Sequence, residues 1–170
     1  MVRSKTSIAL VAGISILMLA STLLISQSRV YGQETQGSQV GKFTADLQPR
    51  ASSNATGKAV LQTLPDLKTI SYSINASGMK DIKTITISQN GPTGPRDVVV
   101  IHTASSQGIM QGPQNGTVAT GNFTQTDLVG PLAGKRMADF VKGVGDGTIV
   151  ITIGSTAYPA GELGGKLSIG

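Results

Sequence analysis

A two-residue periodicity near the C-terminus constrains the fold more than any other feature of this sequence. In the segment TIVITIG (148–154), Ile149, Ile151 and Ile153 alternate with smaller or more polar residues. Side chains on a strand point to opposite faces in turn, so the three isoleucines share one face. The segment therefore predicts a β-strand with one buried face.

The residues after this strand predict a tight connection and a closing strand. Pro159 fixes its own φ, and Gly161 can adopt a positive φ without steric strain. The apolar pattern then resumes at Leu163, Leu167 and Ile169. Gly164-Gly165 interrupts that pattern and predicts a bulge or a close approach of two backbones. We interpret the whole segment as the hairpin that closes the core.

Short strands separated by Gly- and Pro-rich turns make up most of the remaining chain. A change in the parity of the apolar positions after Ile82 predicts a bulge near Lys83. Residues Asp97–Thr103 form a continuous β-branched run, which predicts a strand buried on both faces or in the centre of the sandwich. Residues Ala104–Gly116 are interpreted as a long loop. The other predicted elements are strands at 42–47, 58–64, 67–76, 80–88 and 117–123, and one helix at 135–142.

This pattern predicts an all-β fold, an antiparallel Greek-key-like β-sandwich with one short helix. The sandwich domain is expected over residues 42–170, after a polar linker over residues 33–41. An N-terminal hydrophobic export helix precedes both.

The N-terminus predicts export. Arg3 and Lys5 precede a run without charged residues, from Ser7 to Ile25. A basic segment followed by an apolar one is typical of a signal peptide, but this run is also long enough to span a bilayer. Residues 1–32 are therefore a signal peptide or an uncleaved membrane anchor. Both interpretations place the chain after Gln33 outside the cytoplasm, in the extracellular space or at the cell surface.

Charge and composition argue against several classes of function. The net charge is +5, but the part after the export segment has eleven basic and nine acidic residues, a net charge of +2. Those basic residues are scattered, so we expect no nucleic-acid binding. The chain has no cysteine and one histidine, which excludes most zinc-type sites. We expect no cofactor.

Few side chains are candidates for chemistry. A lone histidine, His102, cannot form a chelating site, and we expect it to face the surface or to be hydrogen-bonded on its strand. Glu162 is the acid of most interest, and we expect its carboxylate to accept hydrogen bonds from backbone N–H groups at the Gly161 turn. Isolated acids near turns could form at most a weak Ca²⁺ site; they are Asp97, Asp127, Asp139, Asp146 and Glu162 itself.

Four Asn-X-Ser/Thr triplets fall in predicted loops or at strand ends, where a glycan could project into solvent. The candidate glycosylation sites are Asn54, Asn75, Asn115 and Asn122.

Several of these segments resemble the CHRD (chordin-type) domain. The C-terminal element Pro159-Ala160-Gly161-Glu162-Leu163, with Gly165 and Leu167, is similar to the closing motif of that family. The likeness extends over about residues 42–169. Further matching segments are FTADL (43–47), ATGKA (55–59), ISYSI (70–74), NGPTG (90–94), GNF (121–123), DLVGP (127–131) and MADF (137–140). The resemblance implies an extracellular immunoglobulin- or superoxide-dismutase-like sandwich, and it marks Pro159, Gly161, Glu162 and Gly165 as structural residues.

The sequence also departs from the family pattern. Where family members often carry a His-X-His pair, this chain has Thr84, Thr86 and Ser88. A family histidine falls on Gly154 and a family arginine on Gly164. The groups needed for imidazole-dependent metal chemistry are therefore replaced, and we expect no metal site.

We expect a non-enzymatic module with binding or structural roles at the cell surface, whose partner is a protein or a polysaccharide. Its contact with the membrane would be only through the N-terminal segment. Two alternatives are a metal-assisted, dismutase-like enzyme on a similar sandwich and a self-assembling surface protein.

Overall fold

The structure, a computed structural model, describes residues 41–170. The predicted export segment and nearly all of the predicted linker lie outside the described residues. Within them, no helix has the length and hydropathy needed to cross a bilayer. The strands are β1 (Lys42–Pro49), β2 (Thr56–Thr63), β3 (Thr69–Gly91), β4 (Gly94–Thr103), β5 (Met110–Thr124), β6 (Ile149–Ser155), β7 (Leu163–Lys166) and β8 (Ser168–Ile169). The helices are α1 (Ala104–Gln107) and α2 (Met137–Gly145), with 3₁₀ turns at Gln125–Asp127 and Gly130–Leu132. The predicted all-β class is confirmed for this part of the chain.

The strands close into a barrel instead of forming two separate facing sheets. Antiparallel ladders join β1 to β2, β2 to β3, β3 to β6, β6 to β7 and β7 back to β1, which makes a ring of five strands. Strands β4 and β5 pair with β3 outside this ring, and β8 pairs with β1. The predicted sandwich is corrected in this respect, because the hydrogen bonding leaves no gap between two layers within the ring.

Strand β3 is the reason that the ring closes. Its first half pairs with β2 and its second half pairs with β6, so one strand belongs to both sides of the barrel. The local sequence pattern predicts two strands here, at residues 67–76 and 80–88. The structure keeps it continuous but bends it, with Gly78 at φ +75° and Asp81 at φ +54°. The predicted bulge at Lys83 is confirmed by a register shift between Ile82 and Thr84 against β6.

The predicted isoleucine face of β6 is confirmed. Ile149, Ile151 and Ile153 are fully buried in the barrel. Helix α2 begins and ends slightly later than predicted and packs Phe140 edge-on against Phe123 of β5, with ring centroids 5.3 Å apart. Barrel and helix thus share one apolar core.

Two predictions around the outer strands are wrong. The segment interpreted as a loop, Ala104–Gly116, contains α1 and the first half of β5. Strand β4 is neither buried on both faces nor central: it pairs only with β3, at the end of the strand order, and Val100 is 46% exposed. The β-branched run is explained by irregular pairing with β3. Register shifts in the β3–β4 ladder allow the neighbours Val98 and Val99 both to be buried.

Candidate functional site

Glu162 lies between β6 and β7, directly after a turn that requires glycine. Gly161 has φ +131°, and a Cβ atom at this position would lie 2.8 Å from Thr152 Cγ2. The N–H of Gly161 donates to the carbonyl of Tyr158 at 3.1 Å, which completes the turn. The backbone of Glu162 then joins two strands, because its N–H donates to Ile153 and its carbonyl accepts from Arg50, both at 2.8 Å.

The Glu162 side chain is buried and binds a hydroxyl group. It is 6% exposed, and its Oε1 accepts a hydrogen bond of 2.7 Å from Ser53 Oγ. Ser53 Oγ in turn accepts from the N–H of Ala55 at 3.1 Å. The expected acceptance from backbone N–H groups of the Gly161 turn is therefore corrected. The carboxylate ties the loop after β1 to the β6–β7 connection.

Arg50 and Tyr158 complete this contact, and neither is among the residues predicted from the sequence. Arg50 Nη1 donates to Thr152 Oγ1 at 3.2 Å, and Tyr158 Oη donates to the carbonyl of Ser52 at 2.9 Å. The Arg50 side chain also lies against Gly164, where a Cβ atom would collide with it. Arg50, Ser53, Tyr158 and Glu162 are called the Glu162 cluster below.

Arg50 lies beside Gly164, a position that differs from the family pattern. Gly164 is the position at which the family pattern has arginine, so a guanidinium group reaches the same region from a different loop. The signal in the sequence is that Arg50 is the one charged residue of the loop PRASSNATG (49–57). Because that loop pairs with a segment more than 100 residues away, sequence spacing could not reveal the contact.

Gly165 confirms the predicted close approach of two backbones. A Cβ atom there would overlap the carbonyl oxygen of Asp46 on β1 and lie 3.0 Å from Leu47 Cδ2. Pro159, in contrast, is exposed at the tip of the β6–β7 connection. Gly165 is thus the family-motif residue that seals β7 against β1.

His102 is buried and does not match its prediction. It is 6% exposed and lies opposite Ile85 in the β3–β4 ladder, on the side of the core. Its Nε2 has no hydrogen-bond partner among the described residues. The histidine expected to face the surface or to be hydrogen-bonded is therefore enclosed, with one ring nitrogen unpaired.

The remaining carboxylates singled out in the sequence each have a local partner. Residues 41–170 bring together no group of three or more His, Cys, Asp or Glu side chains that could hold a metal ion. Asp97 accepts from Ser88 Oγ at 2.8 Å, Asp127 from the N–H of Thr124 at 2.8 Å and Asp139 from the N–H of Arg136 at 3.0 Å, and Asp146 pairs with Lys142 at 2.5 Å.

Two of the candidate glycosylation triplets are joined across β3 and β5. Thr117 Oγ1 donates to Asn75 Oδ1 at 2.8 Å, and Ser77 Oγ donates to Asn115 Oδ1 at 3.0 Å. The hydroxyl residue of each triplet thus binds the asparagine of the other. The other two candidates, Asn54 and Asn122, are exposed.

The opposite end of β1 carries an open, largely apolar groove of about 380 Å³. It is lined by residues of the β2–β3 turn, the end of β2, helix α2, β8 and the start of β1. Leu67 and Ile169 on this groove are 57% and 68% exposed. The lining residues are Gly41, Phe43, Thr63, Leu67, Met137, Ala138, Val141 and Ile169, and they are called the apolar groove below.

The turn that carries Leu67 is held by Asp66. Its carboxylate accepts from the Thr69 hydroxyl at 2.6 Å and from the N–H groups of Lys68 and Thr69, both at 2.9 Å. These hydrogen bonds, that of the Thr69 hydroxyl first, hold the pKa of Asp66 below its ordinary value of 3.8. Leu67 itself has φ +56°, a conformation that leucine rarely adopts.

Comparison of this chain with known proteins identifies its family. The model of the CHRD domain matches residues 34–167, which is most of the chain. A search of the curated proteins and a search of the solved structures each gave no match. The match includes the whole Glu162 cluster and the Gly165 contact that seals the barrel. The chain belongs to the CHRD domain family.

Proposed function

We propose that this protein is exported and acts outside the cytoplasm as a non-enzymatic binding or structural module at the cell surface. The basic residues before the apolar run Ser7–Ile25 support export. That run is either removed as a signal peptide or kept as an anchor. The partner we favour is an extended segment of another protein.

The free edge of β5 carries this proposal. The strand has 15 residues, pairs only with β3 and contains no charged residue. Natural proteins protect such an edge with charges, proline or bulges, because its unpaired N–H and C=O groups can pair with an added strand. Pro113 and the register shifts against β3 lie in β5 before Thr120, so the part of the edge without such protection is 120–124. Recognition by strand addition takes its affinity from these backbone groups and its specificity from alternate side chains.

The buried ionisable groups support a structural role over a catalytic one. Glu162 is bound to Ser53 and connects two loops, and His102 lies on the core side of β4. General acid or base catalysis needs a group within hydrogen-bond reach of a substrate. Both side chains are 6% exposed, so neither is readily reached by a substrate.

Binding of the purified exported chain to isolated envelope material tests the proposal. Thr120→Lys places a charge on the exposed part of β5 and should reduce binding, since a lysine on an edge strand opposes added strands. Ser106→Lys on α1 makes the same charge change at another exposed position and should leave binding unchanged.

Three outcomes would contradict parts of this proposal. Equal binding by Thr120→Lys and the unchanged chain would exclude the β5 edge. Concentration-dependent oligomers in light scattering, abolished by Thr120→Lys, would make the partner a second copy and favour self-assembly. Turnover that is lost in Glu162→Ala, or tightly held Cu, Zn, Mn or Fe, would favour the metal-assisted enzyme.

A further inference from the structure

The two most exposed large apolar side chains of the described residues meet at the apolar groove. Ile169 is 68% exposed and Leu67 is 57% exposed, more than Val100, Ile109 or Val129. Single exposed apolar residues are normal on a protein surface, but adjoining ones around a concave apolar site mark a contact surface.

Leu67 is held in an unfavourable conformation to reach this position. Left-handed backbone geometry strains any residue with a Cβ atom, and glycine or asparagine usually occupies it. Here the N–H of Leu67 donates to Leu64 at 2.9 Å, and the three hydrogen bonds to Asp66 fix the rest of the turn. The turn therefore keeps an apolar side chain in solvent at the expense of backbone strain, a combination that is typical of functional positions.

The surroundings of the groove are positively charged. Residues 41–170 contain eleven basic and eight acidic residues, a net charge of +3. Five basic residues, all exposed, and two acidic residues lie within two sequence positions of a lining residue. Lys142, one of the five, pairs with Asp146, which lies outside this set. The chain next to the lining residues thus has a net charge of +3, or +2 when Asp146 is included. The basic residues are Lys42, Lys68, Lys135, Arg136 and Lys142, and the two acids are Asp66 and Asp139.

We propose that the apolar groove docks on an anionic bilayer surface. Leu67 and Ile169 enter the boundary between headgroups and acyl chains, and the basic residues next to the groove in sequence lie near the lipid phosphates. The membrane contact then extends beyond the N-terminal segment to which the prediction from sequence confines it. This combination of buried apolar area and attraction to anionic lipids is how proteins bind at a membrane interface. The inference rests on the proposed location at the cell surface.

The position of Gly41 adds to this argument. Gly41 lines the groove, and the residues before it in sequence lead back to the apolar run that ends at Ile25. An extended segment of this length spans at most ~50 Å. When the run is kept in a bilayer, the groove stays within that reach of the lipid surface, which raises its effective concentration there.

The absence of cysteine makes a direct test possible, because one introduced cysteine is unique. The full chain carries an environment-sensitive fluorophore at Leu67→Cys or Ile169→Cys, with Val100→Cys on β4 as the matched exposed control. It is reconstituted with vesicles of phosphatidylcholine and phosphatidylglycerol, or of phosphatidylcholine alone. We expect a blue shift, and quenching by spin-labelled lipid, at positions 67 and 169 in the anionic vesicles but not at position 100. The signal should weaken at ~1 M salt, where the Debye length falls to about 3 Å.

A second variant separates docking from folding. Leu67→Gly suits the positive φ and should keep the thermal midpoint of unfolding or raise it. In this background the ratio of quenched to unquenched label at position 169 should fall about tenfold, since a large apolar anchor is lost.

Equal quenching at all three positions, or none at 67 and 169 in vesicles that retain the chain, would overturn docking. A chain that does not stay with the anionic vesicles would overturn it as well. Light scattering that shows groove-dependent dimers without quenching would assign the groove to a second copy. Because the vesicles are added to purified protein, these outcomes are independent of whether cells export the chain, which protease protection in cells would decide.

Discussion

The two ends of strand β1 differ in which side chains they bury: one end buries a paired polar group, and the other exposes apolar side chains. At the end near Pro49, the Glu162 cluster buries a carboxylate and links it to a hydroxyl, while an arginine and a tyrosine bind across neighbouring loops. At the end near Lys42, the apolar groove leaves Leu67 and Ile169 in solvent, and exposed basic residues lie next to its lining residues in sequence. One end is closed by specific polar contacts, and the other exposes apolar surface.

The difference separates a region whose contacts specify the fold from a region whose surface is free to contact a ligand. A buried polar group stabilises a fold only when it is paired, so the Glu162 cluster specifies one arrangement of two distant loops. Exposed apolar side chains contribute little to folding, and their value lies in contact with something else. The closed end therefore serves the structure, and the open end is the better place to look for a ligand.

The largest expected effect on stability is at Gly165, which seals β7 against β1. Gly165→Ala should lower the free energy of unfolding by ~3 kcal/mol, because its Cβ atom overlaps the Asp46 carbonyl on β1. Urea unfolding of the chain from Gln33 measures this. Gly145→Ala is the control, since a Cβ atom there meets nothing within 4 Å, and it should change stability little. Similar results for the two variants would mean that β7 does not lie against β1 as described.

Loss of the buried carboxylate should have the next largest effect. Glu162→Ala should lower the free energy of unfolding by about 2 kcal/mol, because the partly buried Ser53 hydroxyl loses its acceptor. Glu162→Gln keeps an acceptor oxygen and should lose less. A double-mutant cycle with Ser53→Ala measures the coupling; additive effects would show that the two side chains do not interact.

His102 tests the rule that buried polar groups need partners. His102→Leu should leave the free energy of unfolding unchanged or raise it by less than ~1 kcal/mol, because an unpaired ring nitrogen is replaced by an apolar group. Thermal unfolding checks this at neutral pH. A clear loss of stability would reveal a hydrogen bond to this imidazole that the structure lacks.

The smallest expected effect on stability is at the Asp66 turn, beside the apolar groove, and it depends on pH. The pKa of Asp66 is lowered in the folded protein, so the turn is stabilised at pH values above 3.8 and loses this contribution as the pH falls through the lower folded value. Chemical shifts of the Lys68 and Thr69 amides should follow that titration in NMR spectra. Asp66→Asn should remove the transition, and an unchanged transition would assign it to another group.

Much of the barrel could be predicted from local patterns. The alternation in β6 predicts the buried isoleucine face, and Gly165 predicts a close backbone approach, because both signals depend on residues adjacent in sequence. The first half of β5 could not be predicted, since its Gly, Gln and Pro residues resemble a loop, and pairing with β3 overrides that local preference. The burial of His102 depends on the β3–β4 ladder, which no local pattern predicts.

The sequence by itself determined the all-β class, the family, the basic and apolar N-terminus and the periodicity of the core strands, because these follow from composition and short-range spacing. Only the tertiary structure decided that β3 bends to close a ring, that Ser53 meets Glu162 and that Leu67 and Ile169 share one groove. These contacts join residues far apart in the chain. They arise from the way in which hydrogen-bonding groups and apolar faces find partners when the whole chain folds.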